Sequence, residues 1–132
     1  MDLKRIYFGH PVNFYNTPKE KELIGIIHRQ FPNLSIENPN QVHHNKGYHE
    51  WKSRTGNGMR YFFEKVLPNM TAGIFLPFED GMFGIGVFTE ASFLTKINKP
   101  IYEISLEGKI IQMLIDPSRR LSIEETRKRV YS

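Results

Sequence analysis

The sequence predicts an α/β fold: a mostly parallel sheet with helices on both faces, followed by an antiparallel hairpin strand and a short C-terminal helix. Three observations carry this. Strand-like and helix-like apolar periods alternate along the chain. The run Ala72-Gly73-Ile74-Phe75-Leu76-Pro77-Phe78 is continuously apolar, as a strand buried on both faces requires. Two capping boxes, at Thr17 and Ser122, mark helix starts. The chain has 132 residues, one domain's worth of core, so residues 1–132 are read as a single domain.

The first strand is Leu3 to Phe8, closed by Gly9-His10-Pro11. Thr17-Pro18-Lys19-Glu20 then starts a helix: Thr17 caps, Pro18 suits the first helical position, and Glu20 completes the box. Leu23, Ile27 and Phe31 form its apolar stripe, and Pro32 ends it. Leu34 to Glu37 is a short second strand. Residues 38–58 read as an irregular loop, with Pro39, Gly47, Gly56 and Gly58; they hold Trp51 and three of the five histidines. Met59, Phe62, Phe63, Val66 and Leu67 recur at helical spacing up to Pro68.

Ala72 to Phe78 is the central strand, and Glu79 to Gly86 a glycine-rich turn. Val87 to Lys96 follows as a helix with Val87, Ala91 and Leu94 on one stripe. Pro100 to Ile104 is the next strand, and Glu107-Gly108 turns the chain into Ile110 to Ile115 as its antiparallel partner. Ser122 and Glu125 cap a short final helix.

Composition excludes several functions. There is no cysteine, hence no disulfide, thiolate nucleophile or cysteine-ligated metal. No apolar run reaches membrane-spanning length, so no membrane association is expected. The first residues lack the apolar core of a signal peptide, and a cytoplasmic location is the expectation. Net charge is +4, but residues 117–132 carry five cations against two carboxylates, which leaves the body nearly neutral. Nucleic acid is therefore not the expected partner, although the basic helix keeps that role open.

In parallel sheets, ligands sit beyond the carboxyl ends of the strands. Two segments fall there: Gly9 to Asn16 and Glu79 to Gly86. Gly81, Gly84 and Gly86 are spaced G-x-x-G-x-G, which is neither the dinucleotide fingerprint nor a P-loop. They serve either a ligand loop or tight turning alone. Glu90 follows in the first turn or so of the helix, where the positive helix end favours its ionised form. A carboxylate so held is a nucleophile or simply a dipole-compensating acid. Tyr7, at the end of strand one, either reaches that carboxylate or packs on the sheet. His43, His44, His49 and Glu50 are ligand types without metal-ligand spacing, and adjacent histidines point apart in most backbones, so no metal is expected.

The order of these pieces resembles the nucleoside 2-deoxyribosyltransferase family and its relatives, the nucleoside-monophosphate N-glycosidases. The matching stretches are Arg5-Ile6-Tyr7-Phe8-Gly9 with Pro11, Ala72 to Pro77, Gly84-Ile85-Gly86-Val87-Phe88-Thr89-Glu90-Ala91, and Lys99-Pro100-Ile101. The resemblance implies a flavodoxin- or Rossmann-like sheet and a homo-oligomer. It implies N-glycosidic cleavage or transfer on a nucleoside or nucleotide, with no cofactor. Glu90 would be the nucleophile and Tyr7 its orienting partner, while Gly9, Gly84, Gly86 and Asp80 would line the substrate. The family's helix aspartate is missing, and Glu64 stands nearest to replace it. That departure supports the alternative of a non-catalytic nucleotide- or sugar-nucleotide-binding module.

Overall fold

The computed structural model describes residues 4–131. Five strands, β1 (Arg5–Gly9), β2 (Ser35–Glu37), β3 (Ala72–Phe75), β4 (Ile101–Ile104) and β5 (Ile110–Gln112), form one sheet in the order β2-β1-β3-β4-β5. The first four run parallel and β5 runs antiparallel to β4. The helices are α1 (Pro18–Gln30), α2 (Val42–Thr55), α3 (Met59–Tyr61), α4 (Ile85–Lys96) and α5 (Ile123–Tyr131). Leu3, placed in the first strand by sequence, lies outside the described residues.

Side chains alternate across a strand, so β1 feeds two cores. Ile6 and Phe8 pack with Leu23 and Ile27 of α1. Tyr7 points the other way, among Phe62, Val87, Ala91 and Leu94 on the α4 side. Both faces of the sheet are thus covered. The box at Ser122 forms in full, with Ser122 and Glu125 exchanging two bonds of 3.1 Å. At Thr17 only half of it forms: Thr17 Oγ1 accepts from the Glu20 amide at 3.2 Å, while Glu20 Oε1 accepts from the Asn16 amide and not from that of Thr17.

Residues 38–58 are not an irregular loop; most of them form α2. This helix has no apolar stripe, and His44 alone is buried, so its period is invisible in the sequence. Its glycines have other duties. A Cβ on Gly47 would stand 2.3 Å from the Tyr61 ring, so Gly47 is the site where α2 approaches the following segment. Gly56 ends α2 in the left-handed region at φ 77°, where glycine carries no steric penalty.

The helix expected over 59–67 changes pitch. After α3 it widens into a π turn over Phe62–Val66 and tightens into a 310 turn over Leu67–Asn69, around Pro68. Phe62, Val66 and Leu67 are buried as the spacing predicts. The central strand stops at Phe75, although Leu76 still donates its amide to Gly9 O at 3.0 Å. Likewise β5 ends at Gln112 rather than Ile115. Helix α4 starts at Ile85, two residues earlier than expected.

Two of the five cations of the basic C-terminal segment tie it to the rest of the molecule. Arg119 makes a two-armed pair with Glu103, both contacts at 2.7 Å, and lies 4.5 Å over the Phe83 ring. Arg129 pairs with Asp80 at 2.6 Å. These contacts lay α5 across the carboxyl edge of the sheet. Among the described residues no helix is long and apolar enough to cross a membrane.

Candidate active site

A cavity of about 160 Å3 opens at this edge, between the ends of β1 and β3 and the start of α4. The chain departs in opposite directions from β1 here: β2 lies on one side of it and β3 on the other. That switch point leaves a crevice in any sheet of this order. Phe62, Phe78, Val87 and Val130 give it apolar walls, while Tyr7, Tyr15, Glu90 and Thr126 supply polar atoms.

Glu90 is buried, and the Tyr7 hydroxyl donates to its Oε2. Its other oxygen faces Gly9: a Cβ there would stand 3.2 Å from Oε1 and 2.6 Å from the Phe75 ring. Gly9 therefore makes the space that the carboxyl group fills. Gly84 caps α4, and Gly86, in its first turn, borders open space. The Ile85 amide, one of the donors without a partner inside the helix, bonds Thr126 Oγ1 of α5 at 3.0 Å.

The ionised Glu90 expected from the helix end is not what this site favours. Because α4 starts at Ile85, Glu90 falls in the second turn, beyond the reach of the dipole. Burial raises its pKa from 4.5 to about 8, and the Tyr7 hydrogen bond only partly opposes this. Burial and the Glu90 charge together hold the Tyr7 phenol well above its usual range. Tyr15 is raised by the same two causes, with Glu20 adding to them. At neutral pH the site holds a carboxylic acid more often than a carboxylate.

Two residues expected at the substrate lie elsewhere. Asp80 is outside the cavity; both Arg129 contacts, at 2.6 and 3.1 Å, go to its Oδ2. Glu64 stands on the exposed side of the π turn and pairs with Arg60 at 2.8 Å. Glu90, Tyr7, Gly84 and Gly86 do converge on one cavity, with Gly9 directly behind Glu90.

Sequence reasoning passed over His10 and Tyr15, both on the cavity wall. His10 Nδ1 sits 3.1 Å from Phe8 O and Nε2 sits 2.7 Å from Glu20 Oε2. Both partners are acceptors, so the pair retains one proton between Nε2 and Oε2. With both nitrogens engaged, His10 offers the cavity a ring and not a proton. The signal was present: His10 directly follows the strand-ending glycine, and the capping-box glutamate is its partner. Comparison of the chain with protein-family models, with curated proteins and with solved structures finds no match.

Proposed function

We propose that the protein cleaves the N-glycosidic bond of a nucleoside or nucleotide, or transfers the sugar to a second base, with Glu90 as nucleophile. One observation carries the reading: a buried glutamate, held by a tyrosine hydroxyl, faces an apolar-walled cavity at the sheet's switch point. The strand order β2-β1-β3-β4-β5 is read as flavodoxin-like, and that position is where such sheets bind ligands. Apolar walls suit the faces of a planar base, and the carboxyl group suits the sugar's anomeric carbon.

The reaction follows retaining-glycosidase logic. An oxygen of ionised Glu90 forms a bond to C1′ as the C1′–N bond breaks. The electron pair leaves with the base, which takes up a proton from solvent. Water or a second base then attacks C1′ and releases Glu90. Tyr7 fixes one carboxyl oxygen and Gly9, lacking a Cβ, gives the other room, which supports the alignment such attack needs. With a pKa of about 8, roughly one Glu90 in ten is ionised at pH 7. Burial thus trades population for a desolvated, more basic nucleophile.

A second reading, a nucleotide-binding module without turnover, draws on Asp80 and Glu64. Both are paired with arginines and stand outside the cavity. Acid quench during turnover followed by intact-mass measurement separates the two. A sugar ester on the peptide containing Glu90 supports catalysis. A stoichiometric, unmodified nucleotide complex with no base released supports the binding module.

A further inference from the structure

We propose that Glu37, His43 and His44 form a binding site for a divalent transition-metal ion of the zinc class. It lies outside the Glu90 cavity and is independent of the proposed reaction. Glu37 is the last residue of β2, at the carboxyl edge of the sheet. A four-residue connection leads into α2, where the two histidines occupy the second and third helical positions. That connection is fixed by hydrogen bonds: Asn38 donates its amide to Gln41 Oε1 at 3.1 Å, and Gln41 donates its amide to Asn38 O at 2.9 Å. The histidines do not point apart; their ring centroids are 4.0 Å from each other.

One ligand atom from each of the three residues lies within 4.8 Å of the others. Glu37 Oε2 is 2.8 Å from His44 Nε2 and 3.9 Å from His43 Nε2. Bonds of about 2.0–2.2 Å to a tetrahedral zinc ion place ligand atoms about 3.3 Å apart, between these two distances. A small side-chain adjustment therefore admits the ion. Arg5 Nε approaches the opposite oxygen, Oε1, at 3.7 Å and leaves Oε2 to the histidines.

The surroundings match what a metal-bound histidine needs. His44 Nδ1 lies 2.8 Å from the Tyr61 hydroxyl. Without metal, Tyr61 donates to Nδ1 and Nε2–H donates to Glu37. With metal, the tautomer reverses: Nδ1–H donates to the Tyr61 oxygen and the Nε2 lone pair is free to ligate. A hydroxyl serves both states because it donates and accepts. This is the outer-shell bond that orients ligating histidines. The His44 side chain is only 6% exposed and that of His43 is 64% exposed, so the fourth position opens to solvent. Two imidazoles and one carboxylate select zinc-class ions over magnesium or calcium.

The test titrates the purified full chain with Zn2+ by calorimetry and with Co2+ by visible absorption. The expected result is one saturable site per chain, unaffected by millimolar Mg2+. His43→Ala weakens it at least about tenfold, and Tyr61→Phe weakens it about tenfold to a hundredfold, each with an unchanged circular dichroism spectrum. His49→Ala changes nothing. Because His43 is exposed, its variant keeps the experiment decisive even if His44→Ala fails to fold. Absence of saturable binding, or wild-type affinity in His43→Ala, overturns the proposal.

Discussion

Replacing Glu90 with Gln removes a proton-binding group from the interior while keeping its shape and its hydrogen bond from Tyr7. The folded pKa is about 8 and the ordinary value is 4.5. Between those limits the folded chain holds a proton that the unfolded chain has released, so stability falls as pH rises. The contribution is fully present below pH 4.5 and lost as pH passes through about 8. Each pH unit in that interval costs the folded state about 1.4 kcal/mol, and the whole interval about 5 kcal/mol. Glutamine stays neutral throughout. The variant should therefore exceed wild type by less than about 1 kcal/mol at pH 5, by about 3 kcal/mol at pH 7, and by about 5 kcal/mol above pH 8. Urea denaturation at pH 5 to 9 reads this directly, and titrating groups not coupled to Glu90 cancel in the difference. Parallel stability curves for the two proteins would refute the buried-acid argument. So would a variant less stable than wild type at pH 9, because that result requires a carboxylate stabilised in the folded state.

The same group sets the pH dependence of turnover. Since the nucleophile must be ionised, kcat/KM should rise tenfold per pH unit below about 8 and then level off; a falling limb would make Glu90 a proton donor instead. Tyr7→Phe removes the hydrogen bond that lowers the Glu90 pKa, so this limb should shift to higher pH. Its stability loss, by urea denaturation, should be about 1.5–3 kcal/mol at pH 9, where the partner is charged, and smaller at pH 5. Gly9→Ala inserts a methyl 2.6 Å from Phe75 and beside Glu90, and should cost about 1–3 kcal/mol together with activity. Asp80→Asn breaks a largely solvent-exposed pair, so thermal denaturation should register a loss of no more than about 1 kcal/mol.

Local chemistry made much of this fold legible. The caps at Thr17 and Ser122 form because each needs only residues three apart, although the return bond of Glu20 goes to the Asn16 amide. The buried runs around Ile6 and Ile74 specify the two central strands through their own composition. Helix α2 was not legible, since it buries one side chain and carries its glycines for packing against Tyr61 and for termination. The Tyr7–Glu90 contact was one of two alternatives that strand alternation left open, and the protonation of Glu90 was not legible at all. Dipole reasoning looked at one helix, whereas burial is the sum of the sheet, the π turn and α4. The same is true of α5, whose Thr126 caps another helix, and of His43 and His44, brought to Glu37 by a helix the sequence hides.

The measurement that bears most directly on the central claim is release of free base. A panel of ribo- and deoxyribonucleosides and their 5′-monophosphates, with and without an acceptor base, would be incubated at pH 8 with wild type and Glu90→Gln and resolved by chromatography. The account predicts release by wild type and none by the variant. Acceptor dependence would then divide transfer from hydrolysis. Base release by Glu90→Gln at the wild-type rate, or none by wild type on any substrate, would contradict it.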